Sequence, residues 1–399
     1  MEKAVGIICE FNPFHFGHAY LLEQAHSAFP DRGIVCVMSG NFVQRGSFAI
    51  QEKYSRALCA LRGGADLVLE MPFPFSSLSA ESFASAGVRI LKGLGVCDTL
   101  AFGTELDDAH ALSVCAENLA SEEFEAALKA YFSRHPGAGY PAAREAVYTS
   151  LFGHCDALSR PNASLAVNYL LASRKENASF SFYPILRKGE GFHSEKKEGT
   201  FLSATALRSC VWEGESLFGK LPEFTRLEIE KEKAEGRFPV TVESLSAVLF
   251  YLLKTKSRKE LSSVYGFSAL CDRAVRYCGE CQSVEELVEK IKNPSFTDSR
   301  IRRGLLALLL QIPRFAEKEV PAYTTLLACN ARGRDLLGAI KEQGTIPVFT
   351  KPAHAFRSED KTVQHQASRA YLADEIYAMA FPQKQRDGFF IKKMPYVET

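Results

Sequence analysis

Through roughly the first half of the chain, short apolar runs alternate with amphipathic stretches. AVGIICEF (Ala4 to Phe11) has the length and content of a strand, and AYLLEQAHSAF, from Ala19, spaces its apolar residues as a helix does. The pattern repeats with a strand at Gly33 to Gly40, a loop at Asn41 to Ile50 and a helix at Gln51 to Gly64. A strand follows at Ala65 to Pro72, then a helix at Ser79 to Gly95 and a strand at Cys97 to Glu105. Residues 107–150 read as helices, Arg160 to Ser173 as another, and Ser179 to Phe192 as a fifth strand running into a glycine-rich, basic loop. Strands alternating with helices predict a Rossmann-like α/β fold with a doubly wound, parallel sheet and sites at the carboxyl ends of its strands.

After Trp212 the rhythm changes. Residues 240–312 are helical by period, with RIRRGLLALLLQIPR read as an arginine-rich turn leading into an apolar helix. Thr325 to Pro352 reads strand, helix, strand, and Ser358 to Phe381 a last helix. Two domains are expected in 399 residues: 1–211 as the α/β unit and 212–399 as a mainly helical α+β unit. The net charge of +1 hides an asymmetry: residues 1–200 carry 18 basic and 22 acidic side chains, residues 201–399 carry 30 and 25. A basic second half suits a polyanion such as RNA. The longest apolar run, Gly304 to Ile312, is too short to cross a bilayer, and eleven scattered cysteines fit a reducing compartment. A soluble, cytoplasmic protein without membrane or DNA partners is expected. Cys278 and Cys281 have half of a metal-binding spacing without a second pair, so no bound metal is predicted.

The chemistry concentrates between strand and helix at the start of the chain. NPFHFGH places His15 and His18 around Gly17, at the helix N-terminus that can receive a phosphate. Two imidazoles there can donate to phosphate oxygens and neutralise charge developing at phosphorus, which points to adenylyl transfer. LSATALR adds Ser203 and Thr205 at a later helix start, with Arg208 one turn in, to grip the β- and γ-phosphates. Gln44 and Arg45, in SGNFVQRG, fall where a strand end meets the cleft and are candidates for orienting an acid or a base. Paired His-x-Gly-His and Ser-x-Thr-x-x-Arg elements are the signature of HxGH nucleotidyltransferases.

The chain further resembles the tRNA(Met) cytidine acetate ligases. VGIICEFNPFHFGH, SGNFVQRG, GADLVLEMPF, FGTE, RPNASLAVNYL and LRKGEGFHS…FLSATALR occur here in that family's order. The likeness is dense over the first two hundred or so residues and looser beyond, at CNARGRDLL and GTIPVFTK. It implies that ATP and acetate form acetyl-adenylate and that the acetyl group passes to N4 of the wobble cytidine of elongator tRNA(Met). It also implies an ATP site lined by Ile7, Ile8, Cys9, Glu10, Phe11, Asn12, Pro13, Phe14, His15, Phe16, Gly17, His18, Ala19 and Tyr20, joined by Gly103, Asn162 and Arg187. Mg²⁺ is expected on the triphosphate, and His193 near the nucleotide. Arg302, Arg303, Arg332, Arg334 and Lys351 are candidate tRNA phosphate contacts. Two alternatives stand beside this reading: a nucleotidyltransferase acting on a small phosphate, and an ATP- and RNA-binding module without catalysis.

Overall fold

Six consecutive apolar residues, Ala4–Cys9, are all buried and form the central strand β1. A strand covered on both faces reads as a continuous apolar run, and β2 (Gly33–Ser39) is of the same kind. The computed structural model describes residues 3–188 and 201–398. Two very short strands, β3 (Phe42–Val43) and β4 (Ser47–Phe48), form an antiparallel hairpin after β2. The main sheet continues with β5 (Leu67–Met71), β6 (Cys97–Thr104), β7 (Ser181–Leu186), β8 (Thr324–Cys329), β9 (Val348–Phe349) and β10 (Tyr396–Val397). Its order is β10-β8-β5-β2-β1-β6-β7, with β9 also on β8.

From β5 to β7 every pairing is parallel. Helix α1 (Phe16–Ala28) connects β1 to β2, and α2 (Lys53–Arg62) leads into β5. Helix α3 (Ala80–Leu94) then carries the chain across to β6, on the other side of β1. The strand order therefore reverses beside β1, and the crevice at the carboxyl ends of β1 and β6 is the topological switch point. Helix α3 presses tightly on β1 there, since a Cβ on Gly87 would stand 2.6 Å from Ile8 Cδ1.

The sheet does not stop at residue 211. β8 runs antiparallel to β5, pairing Cys329 with Leu67 and Thr325 with Glu70, and β9 and β10 lie on its outer edge. Without β8, the fully buried β5 would be an open edge. Buried Lys53 locks the layers together, its Nζ 2.8 Å from Glu70 Oε1 and 2.6 Å from Asp374 Oδ2 in the helix Lys361–Met379. Removing one partner of such a buried pair costs roughly 3–5 kcal/mol. One hydrophobic cluster includes both Ala4 and Phe390. Along the chain, between β7 and β8, comes a set of short helices, including Ser246–Thr255, Cys271–Tyr277, Val284–Ile291 and Asp298–Leu309. The arginine-rich stretch expected as a turn lies inside the last of these, because Ile301 and Leu305 give it a buried helical face. Among the described residues, no helix is long and apolar enough to cross a membrane.

Candidate active site

A cavity of about 290 Å³ opens at the switch point. Ile7, Ile8, Cys9, Glu10, Phe11, Asn12, His15, Gly17, His18, Tyr20, Gln44, Arg45, Gly103, Asn162, Arg187, Ser203, Thr205 and Arg208 all line it. Pro13, Phe14, Phe16 and Ala19 do not. Phe14 instead packs inward, its ring 5.1 Å from Phe11 and 5.8 Å from Phe224, so its place in the motif is structural. Phe16 and Ala19 sit on other faces of α1. His193 and the loop at Gly189 to Phe192 lie outside the described residues.

The two histidines are the N-terminal caps of α1. His15 Nδ1 accepts the Gly17 N–H at 3.0 Å, and His18 Nδ1 accepts the His15 N–H at 3.3 Å. This reciprocal box satisfies two amides that the helix leaves unpaired. Both Nδ1 atoms act as acceptors, so in the neutral rings the proton sits on Nε2, which is left to donate. The rings stack with centroids 3.6 Å apart. Burial, with Arg187 and Arg208 nearby, lowers His15 to a pKa of about 3. Burial, His15 and Arg187 hold His18 well below its ordinary value. The imidazoles are therefore neutral donors rather than the charge-neutralising groups expected from sequence. Gly17 is required by this packing, because a Cβ there would stand 2.8 Å from His15 Cε1.

Positive charge comes from elsewhere. Among the described residues Arg45, Arg187, Lys188 and Arg208 line the cavity against a single carboxylate, Glu10, a balance that suits a polyphosphate. Arg208 donates from Nη1 to the Asn12 carbonyl at 2.8 Å and from Nη2 to Thr205 Oγ1 at 3.1 Å, tying LSATALR to the β1 loop. Burial lowers its pKa to about 10, still charged at neutral pH. Ser203 caps its helix by accepting the Ala206 N–H at 3.1 Å. Asn12 Oδ1 accepts the Ile50 N–H at 2.9 Å, and Glu10 Oε1 accepts the Gln44 N–H at 2.7 Å, so the β3–β4 hairpin is pinned to the end of β1. Burial lowers the Arg45 pKa, with Glu10 and Asp298 opposing.

Two supporting residues escaped the sequence reading. Glu105 accepts from the Asn162 and Ala163 amides at 3.2 and 2.9 Å, and from Asn162 Nδ2 at 2.5 Å. It, rather than Asn162, caps the helix Pro161–Lys175, and it opposes the effect of burial on Arg187. Its position at the end of the FGTE strand was the available signal. Arg56 is completely buried and donates to the carbonyls of Glu10 at 2.5 Å, Ser39 at 3.1 Å, Gln51 at 2.9 Å and Gly40. It clamps the ends of β1 and β2, a role that an arginine in an ordinary helical pattern does not betray.

The five candidate RNA contacts do not gather. Arg302 is held by Asp298 at 2.7 Å and by both oxygens of Glu285 at 2.6 and 2.5 Å. Arg303 reaches the Gln44 carbonyl at 3.4 Å, beside the cavity. Arg332 donates to Pro30 O at 3.3 Å and Arg334 to the Glu398 carbonyl, at the amino ends of the parallel strands and away from the cavity. β8 is antiparallel, so the helix that follows it starts on the wrong side of the sheet. Lys351 is exposed just beyond β9, at the sheet edge.

Among the described residues, no group of three or more histidine, cysteine or carboxylate side chains is placed to hold a metal. All eleven cysteines are free, and Cys278 Sγ donates to the Val275 carbonyl at 3.2 Å. Among the described residues Glu10 is the one carboxylate that lines the cavity, and those residues form no site for a resident Mg²⁺.

Fold and cavity together define an α/β nucleotidyltransferase. A family profile described as HIGH Nucleotidyl Transferase matches residues 2–389. A tRNA(Met) cytidine acetate ligase from Caldanaerobacter subterraneus subsp. tengcongensis is 34% identical over 405 residues, covering 99% of this chain and 98% of that protein. One from a Thermoanaerobacter species is 34% identical over 396 residues, covering 96% and 97%. The Thermotoga maritima TmcAL crystal structure bound with alpha-thio ATP superposes with a TM-score of 0.90 at 29% identity, covering 99% of each chain. The apo form of that protein gives 0.92, also at 29% identity and covering 100% of each chain. The chain belongs to the HIGH nucleotidyl transferase family, among the tRNA(Met) cytidine acetate ligases.

Proposed function

We propose that this chain is an ATP-dependent acetate ligase acting on elongator tRNA(Met). An acetate oxygen attacks the α-phosphorus of ATP, pyrophosphate leaves, and acetyl-adenylate forms. The N4 amine of the wobble cytidine then attacks the acetyl carbon, AMP leaves and the amine loses a proton to water. The observation that carries the reading is the cavity itself, where two neutral imidazole donors at a helix N-terminus face a lining that, among the described residues, holds four cations and one carboxylate.

The first step needs in-line positioning and stabilisation of charge on phosphate oxygens more than a proton-transfer group. His15 and His18 offer Nε2–H donors to the α-phosphate region, and Arg187, Arg208, Ser203 and Thr205 receive the other phosphates. Mg²⁺ enters with the triphosphate as part of the substrate, where it screens charge between phosphates. Gln44 and Arg45, brought to one end of the cavity by the hairpin, orient acetate and the incoming base. Recognition of tRNA falls to the helical layer within 212–399 that precedes β8, since β8, β9 and β10 complete the catalytic sheet. The test is incubation of the protein with ATP, isotope-labelled acetate and tRNA(Met), followed by mass analysis of the nucleosides. Labelled N4-acetylcytidine at the wobble position is expected; tRNA left unmodified, with ATP consumed, would reject the acceptor.

A further inference from the structure

Resting on the reading of this chain as a tRNA-modifying enzyme, we propose that a basic groove formed by Lys256, Lys259, Arg314 and Phe315 is the docking site for the RNA phosphodiester backbone. The groove is concave, about 680 Å³ in volume, and lies where the segment after helix Ser246–Thr255 meets the segment after helix Asp298–Leu309. A backbone bridge between Val264 and Pro313 joins the two segments, and the Arg314 N–H donates to the Ser263 carbonyl at 2.9 Å. Three cations line the groove against one carboxylate, Glu260, which stands 4.0 Å from Lys256 and leaves Lys259 and Arg314 in excess. That carboxylate is engaged: it caps its own short helix, accepting the Ser257 N–H at 2.8 Å and the Ser257 hydroxyl at 2.7 Å. Lys259 and Arg314 are exposed and make no ion pair among the described residues, in contrast to Arg302 with its two carboxylate partners.

Phe315 is the second half of the argument. It is 59% exposed beside these cations. A ring among cations is the arrangement on which unstacked bases rest while phosphates pair with lysine and arginine. The groove is linked to the cavity wall by a chain of contacts. Its neighbour Tyr265 takes the Ile312 carbonyl through its N–H at 3.0 Å. The Tyr265 hydroxyl accepts the Ser79 N–H at 3.2 Å, and Ser79 caps α3, whose first residue, Ala80, lines the cavity. RNA seated in the groove is thus anchored beside the element that forms one wall of the catalytic cavity.

The experiment is a salt titration of tRNA(Met) binding by the full chain, for wild type, the double variant Lys259→Ala/Arg314→Ala, and Phe315→Ala. In the double variant the plot of log affinity against log salt becomes less steep by about 2, the contribution of two phosphate contacts. Phe315→Ala weakens binding with an unchanged slope, and Phe315→Trp restores it. Acetate-dependent ATP–pyrophosphate exchange without tRNA stays at the wild-type rate in all of them, which shows an intact fold. An unchanged slope in the double variant would overturn the proposal. So would loss of binding to polyglutamate alone, which would make the groove a seat for an acidic protein. Failure of wild type to bind tRNA at all would instead strike the underlying functional reading.

Discussion

Replacing Gly17 with alanine separates the chemistry of the HFGH turn from its folding. The new Cβ would lie 2.8 Å from His15 Cε1, so the ring must withdraw by about 0.6 Å to reach the 3.4 Å of ordinary contact. It cannot do so and keep the 3.0 Å bond from the Gly17 N–H to Nδ1, and its stack with His18, 3.6 Å between centroids, is disturbed as well. A displacement approaching 1 Å in a positioned group costs on the order of a hundredfold in rate. Loss of one preorganised donor costs roughly 3–4 kcal/mol at most. Folding moves the other way, because alanine in place of a helical glycine gains up to about 1 kcal/mol, offsetting part of the clash. Acetate-dependent ATP–pyrophosphate exchange should therefore fall about a hundredfold while the melting temperature stays within a few degrees. Wild-type exchange in a variant of wild-type stability would refute the proposed role of the His15 ring.

Three further outcomes are expected. His18→Ala abolishes adenylate formation while tRNA affinity, read by filter binding, is kept; the reverse pattern would displace His18 from the chemistry. His15 has a native pKa of about 3 against an ordinary 6.5, so the stability from its neutral form is complete above pH 6.5 and eroded as pH falls, and it is gone below about 3. The slope from this group approaches 1.4 kcal/mol per pH unit in urea unfolding between those limits, and His15→Gln should remove it. Arg45→Ala raises the KM for acetate with little change in that for ATP; both partial reactions left intact would take Arg45 out of the site.

Much of the fold was legible because parallel strands buried on both faces write themselves as apolar runs. β1, β2 and β5 fall inside their predicted segments, and the cavity collects residues from loops that follow strands. What stayed hidden depends on contacts distant in sequence. The pairing of β8 with β5 joins residues more than 250 positions apart and leaves no local periodicity, so the C-terminal strands looked like part of another domain. Their antiparallel direction then sent Arg332 and Arg334 to the far side. Counting cations along the chain also could not show that Arg302 is already occupied by Asp298 and Glu285, or that Arg56 is buried among carbonyls. The HFGH residues were found by type, but their protonation followed only from burial and from the helix cap they form.

The most direct test of the central claim is ATP–pyrophosphate exchange by the purified protein, with and without acetate and without tRNA. Exchange that appears only with acetate, and disappears in His18→Ala, is the expected result. Exchange that ignores acetate, or that survives the loss of His18, would contradict acetate activation in this cavity.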